Sequence, residues 1–138
     1  MKQYTLFKWL TIIWMLFILV ASLISGNKLP SISISHIDKI GHLVCYAILA
    51  FLLLGTFRRA RFFPTINNDN HKDTKPFKTP LNYTLIIAIS YGVIIEILQG
   101  TLFLHRNFEI PDIIANIIGA FIGIISYKII FKFLNDTV

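Results

Sequence analysis

Four predominantly apolar stretches, each of roughly 20 residues, constrain this chain more than anything else in it. A helix rises about 1.5 Å per residue, so each stretch is long enough to cross a hydrocarbon core roughly 30 Å thick. Inside that core backbone polar groups must pair within the protein, which restricts spanning segments to helices and closed barrels. Uninterrupted apolar runs of this length favour helices. The sequence predicts an all-α integral membrane bundle of four transmembrane helices, over Leu6–Ser25, Lys39–Phe57, Tyr83–Leu104 and Asp112–Phe133. The chain is 55% hydrophobic with a mean hydropathy of +0.68, against roughly 45–50% apolar in soluble domains. Its 138 residues leave room for little beyond one membrane domain, taken as 1–138.

The flanks refine this picture. A cleaved signal peptide is the competing reading of the first stretch. Val20 and Ser22 are only a loose match to a cleavage site, no A-x-A occurs, and the apolar run is long, so it is read as a helix. Ser35 and Asp38 have capping-box spacing ahead of the second helix. Pro111 suits the first turn of the fourth, where its missing N–H costs nothing. The segment from Arg58 to Pro80 is basic and has little to bury, which reads as a flexible loop.

Lys and Arg accumulate in cytoplasmic loops. With both termini and the Arg58–Pro80 loop inside, ten basic residues lie inside and only Lys28, Lys39 and Arg106 outside. The net charge of +6 is then a topology signal with possible anionic-lipid contacts, and no nucleic-acid partner is expected. The single cysteine, Cys45, closes no intrachain disulfide.

This topology brings polar residues from three helices to one end. Asp38, His42 and Tyr46 are spaced i, i+4, i+8 and share one stripe of the second helix. Glu96 and Gln99 lie near the end of the third, in a stripe with Gly92 and Phe103, and Arg106 follows. Asp112 and Asn116 open the fourth, and their stripe continues through Gly119 and Gly123. Glu96 lies roughly 12 Å below the outer boundary. Ionisable groups are costly in lipid and usually face one another or a wet cavity. The convergence predicts an outward-facing polar pocket.

Each member also has a plainer role. Asp38 and Asp112 sit where a helix N-terminus favours a carboxylate. Gly119-x-x-x-Gly123 is a close-packing spacing, and Tyr46 suits a membrane interface. Glu96 and Gln99 are harder to explain this way, although a structural hydrogen-bond network would accommodate them. His beside carboxylates is equipment for general acid–base chemistry. Glu96 and His42 are the candidate catalytic pair; Asp38, Lys39, Tyr46, Gln99, Arg106, Asp112 and Asn116 are the candidate binding residues. Arg106, Lys39 and His42 could hold a phosphate group. No G-x-S-x-G occurs. His42, Glu96, Asp38 and Asp112 are suitable ligand types, but no H-E-x-x-H and no close Cys/His pair occurs, so no metal is assigned and the cofactor stays unknown.

Asp38-Lys39-x-x-His42-x-x-x-Tyr46, Glu96-x-x-Gln99, Arg106 and Asp112-x-x-x-Asn116-x-x-Gly119-x-x-x-Gly123, in this order, resemble the VanZ-like family of small bacterial membrane proteins. The resemblance covers Ile37 to Tyr127 and leaves out the basic loop. The family's founding member accompanies glycopeptide-resistance genes and is similar to a determinant of teicoplanin resistance. The resemblance implies a multi-pass protein of the bacterial cytoplasmic membrane and supports the importance of the polar cluster. It supplies no reaction, so enzymatic activity is left open.

The function expected is binding, with or without modification, of an envelope lipid or cell-wall precursor headgroup. Glu96 would be the buried acid or base, His42 its proton partner, Lys39 and Arg106 the anion holders, and Asp112 and Asn116 the orienting groups. The partners would be membrane lipids and a lipid-linked precursor, with homo-oligomerisation open. The rival expectations are a non-enzymatic structural or interaction module and a small transporter. The near-absence of polar residues in the inner halves of the second and fourth helices argues against a transporter.

Overall fold

In the computed structural model, which describes residues 2–24, 35–59, 80–102 and 109–136, the chain forms α1 (Lys2–Ile24), α2 (Ser35–Arg59), α3 (Pro80–Leu102) and α4 (Ile110–Asp136). All four are long and apolar enough to cross a membrane. No strand occurs among the described residues. The basic loop lies outside the described residues apart from its edges: Arg58 and Arg59 belong to α2, and Pro80 opens α3.

The helices begin earlier than hydropathy predicts. α2 starts at Ser35 rather than Lys39, α3 at Pro80 rather than Tyr83, and α4 at Ile110 rather than Asp112. Hydropathy marks the hydrocarbon zone, whereas a helix can run on into the polar interface. Pro80 enters with a φ already suited to a first turn. In α4 the Asp112 N–H donates to the Glu109 carbonyl at 3.1 Å. Asp38 and Asp112 thus lie in first turns, where a carboxylate meets free N–H groups and the positive end of the helix dipole.

α2 is the hub. It runs parallel to α4, and their interface is the most extensive in the bundle. The close approach comes from two glycines. A Cβ on Gly119 would fall on the Leu43 carbonyl oxygen, and one on Gly123 on that of Ala47. The small-residue stripe of α4 therefore packs within the chain against α2, the use of G-x-x-x-G in which bare backbone admits a neighbouring helix. α1 lies antiparallel to α2, with Phe7 against Gly55, Thr11 Oγ1 3.0 Å from Thr56 Oγ1 and the Trp14 indole donating to the Cys45 carbonyl at 2.9 Å. Tyr91 of α3 donates to the Met15 carbonyl of α1 at 2.6 Å.

The two ends differ in character. Phe7, Phe51, Tyr127 and Phe131 interlock at one, with Tyr127 and Phe131 ring centroids 4.4 Å apart, and Arg58 lies 5.9 Å from the Tyr127 ring. Three threonine hydroxyls in the spans are internally satisfied: Thr11, Thr56 and Thr84 donate to carbonyls four residues back, a local bond open to Thr in a helix. The outer faces carry exposed Leu16, Phe17, Ile86, Ile94, Ile118 and Ile129, and these are the surfaces that contact membrane lipid. At the opposite end from the aromatic cluster, the interior turns polar.

Candidate functional site

The polar end is built from the first turns of α2 and α4 and the last turns of α3 and α1. Glu96, six residues before the end of α3, lies roughly 9 Å inside it along the helix axis. Periodicity brings His42 of α2 level with Glu96 and with Asp112 and Asn116 of α4. His42 Nδ1 is 3.1 Å from Asn116 Oδ1 and 3.7 Å from Glu96 Oε1. His42 Nε2 is 3.9 Å from Asp112 Oδ2. Two acceptors thus face Nδ1. The Asn116 amide oxygen can only accept, so Nδ1 donates to it.

Lys39 lies one turn before Leu43 on α2. Its ammonium is 3.5 Å from Glu109 Oε2 and 3.8 Å from Asp112 Oδ1. The Asp112 carboxylate is therefore shared, one oxygen toward Lys39 and the other toward His42. Its side chain is 3% exposed and that of Glu96 2%, so these carboxyl groups sit inside the bundle, where unpaired charge is expensive. Asp38 is exposed, and it lines a cavity of about 150 Å³ together with His42, Tyr46, Gln99, Ser22 and Cys45.

Gln99 is buried and donates to the Ser22 carbonyl of α1 at 3.2 Å. Its Oε1, the Tyr46 hydroxyl, Asp112 Oδ1 and Asn116 Nδ2 are buried without a hydrogen-bond partner among the described residues. Buried polar atoms are normally bonded to protein, water or a ligand. Several at one end leave donors and acceptors that water or a ligand could satisfy.

The sequence-predicted residues divide accordingly. His42, Glu96, Asp112 and Asn116 come together as one cluster, and Lys39 joins it through Asp112. Asp38, Tyr46 and Gln99 line the adjoining cavity. Arg106 and Phe103 lie outside the described residues. Glu109 and Ser22 were not anticipated. Glu109 precedes the Ile110–Pro111 helix start, a position where an acid is unremarkable, and Ser22 contributes its backbone carbonyl, which no side-chain pattern reveals.

Four apolar spans enclosing a polar cluster at one end define a multi-pass α-helical membrane protein. The particular family follows from comparison with known proteins: the VanZ/LLP1 family model matches residues 2–132, and the chain belongs to that family. No curated protein and no solved structure matches the chain.

Proposed function

We propose that this protein binds the headgroup of an envelope lipid or lipid-linked cell-wall precursor at the polar end of its bundle, with that end facing outward from the bacterial cytoplasmic membrane. The observation that carries the proposal is the pairing of two spaces around the start of α2. On one side is the cavity of about 150 Å³, where Asp38, His42, Tyr46 and Gln99 interrupt a largely apolar wall. On the other is a groove of about 340 Å³ lined by Ile40, Leu43, Ile114, Ala115 and Ile118, with Lys39 at its rim. A cavity whose largely apolar wall carries Asp38, His42 and Gln99, beside an apolar groove, suits an amphiphile, with headgroup at the polar groups of one and chain along the other.

In this proposal Lys39 supplies the described cationic contact and Arg106 a second, Asp112 and Asn116 hold His42, and Gln99 and Tyr46 offer hydrogen bonds to the headgroup. If the site also does chemistry, Glu96 and His42 are its acid–base pair. The His42–Glu96 separation of 3.7 Å exceeds hydrogen-bond length, so a proton would pass between them only after a small closure or through a water. A link to glycopeptide susceptibility belongs to this proposal through the family and is measured as the teicoplanin sensitivity of cells with and without the gene.

The alternative is a non-enzymatic module in which the cluster only holds helices together, a reading favoured by the direct His42–Asn116 bond. Native mass spectrometry of the protein in mild detergent, wild type against Glu96→Gln and Lys39→Ala, separates the two. A copurifying lipid lost from the variants is expected. No bound lipid in the wild type, with a less stable Glu96→Gln protein, supports the structural module instead.

A further inference from the structure

We infer that Asp38, His42 and Asp112 form a binding site for one divalent transition-metal ion, of the class of Mn²⁺ or Zn²⁺. One ligand atom from each of these residues lies within 4.8 Å of the other two. The imidazole–carboxylate set suits such ions. The helices that carry them are rigid: α2 supplies Asp38 and His42 one turn apart, and α4 supplies Asp112 across the glycine-packed interface.

Three further observations point to a cation. First, the His42 ring is oriented as a ligand would be. Its Nδ1 faces Asn116 Oδ1 and Glu96 Oε1, the second-shell arrangement that fixes the tautomer of a metal-bound imidazole. Second, His42 Nε2 lies 3.9 Å from Asp112 Oδ2, too far for a hydrogen bond between them. Such an ion lies about 2.0–2.2 Å from nitrogen and carboxylate oxygen, so two donors at this separation can share one. Third, Gln99 and Tyr46 line the same cavity as Asp38 and His42, and their Oε1 and hydroxyl are buried with no hydrogen-bond partner among the described residues.

Charge agrees. Asp38, Glu96, Glu109 and Asp112 gather at this end, where Lys39 is the single lysine or arginine among the described residues. A divalent ion would offset that excess and give an anionic headgroup something to bind. The ion site itself rests on three side chains and is independent of which ligand the pocket takes.

The test uses lipid-free protein in detergent, stripped with a chelator and dialysed. Mn²⁺ is titrated with electron paramagnetic resonance detection of the free ion, and Zn²⁺ is then added as competitor. Saturation at one Mn²⁺ per chain is expected, with displacement by Zn²⁺ and imidazole-nitrogen modulation in the pulsed spectrum. Asp38→Asn, on an exposed first turn, weakens binding by on the order of tenfold or more while leaving the melting profile intact. His42→Gln removes the nitrogen modulation, and Glu109→Gln leaves affinity unchanged. Absence of saturable binding of both ions by the wild type, or binding indifferent to Asp38→Asn and His42→Gln, would overturn the inference. Because no lipid is present, that result leaves the headgroup proposal standing, and loss of lipid binding with retained Mn²⁺ binding does the converse.

Discussion

Asn116 shows how much one side chain settles at this site. It accepts from His42, packs against the position a Gly92 side chain would occupy, and is buried. Hydrogen bonds between membrane helices average about 0.6 kcal/mol and reach about 1.7. Asn116→Ala should therefore destabilise the bundle by roughly that range, measured by reversible unfolding in mixed detergent, and should free the His42 ring. Asn116→Asp keeps an acceptor facing Nδ1 and should retain more of the ring's order, read from the His42 imidazole resonances. If both variants leave those resonances unmoved, Asn116 does not orient His42. Lys39 is a different case. Its pair with Glu109 is exposed and contributes little to stability, but Asp112 is buried and would lose its cation, so Lys39→Ala should lower the melting temperature as well as weaken retention of an anionic lipid.

At the scale of the helices, close packing decides tolerance. Gly119→Ala and Gly123→Ala put a methyl group onto backbone carbonyls of α2, which cannot swing aside as a side chain end can. Overpacking of this kind costs about 1–3 kcal/mol, and the first turns of α2 and α4 carrying the site would be pushed apart. Gly41→Ala is the control, because a Cβ there meets nothing within 4 Å. It should hold or raise stability, since Ala is favoured over Gly in a helix by about 1 kcal/mol. Equal melting temperatures for all three variants would contradict the packing described here. Much at this scale was legible in the sequence. The i, i+4 spacings of His42, Asp112 and Asn116 are enough to bring them to one end once the helices alternate in direction. The start of α3 at Pro80 was not, because polar residues at the interface continue a helix that hydropathy ends, whereas α2 begins at Ser35, the residue whose capping-box spacing signalled it. The participation of α1 was also hidden, since Ser22 acts through its carbonyl and carbonyls look alike in every sequence.

For the molecule as a whole, what the pocket can reach depends on which side of the membrane it faces. The Lys and Arg distribution, ten against three, predicts that the aromatic end with Arg58, Lys128 and Lys132 is cytoplasmic and the end with Lys39 and Glu109 is external. The same asymmetry gives the two ends different chemistry. At one, Arg58, Lys128 and Lys132 can meet anionic headgroups, whereas at the other the partly exposed Lys39 shares its charge with Glu109 and Asp112. Cysteine labelling tests this directly. With Cys45 replaced by Ala, Glu109→Cys should react with a membrane-impermeant maleimide in intact cells, and Lys132→Cys only after permeabilisation. Both sites are exposed, so failure to label reports sidedness rather than burial once permeabilised cells label at both. The reverse pattern would turn the pocket toward the cytoplasm. Ligands would then be cytoplasmic headgroups or soluble anions, and an outer-leaflet precursor would be out of reach, whatever the affinity of the site.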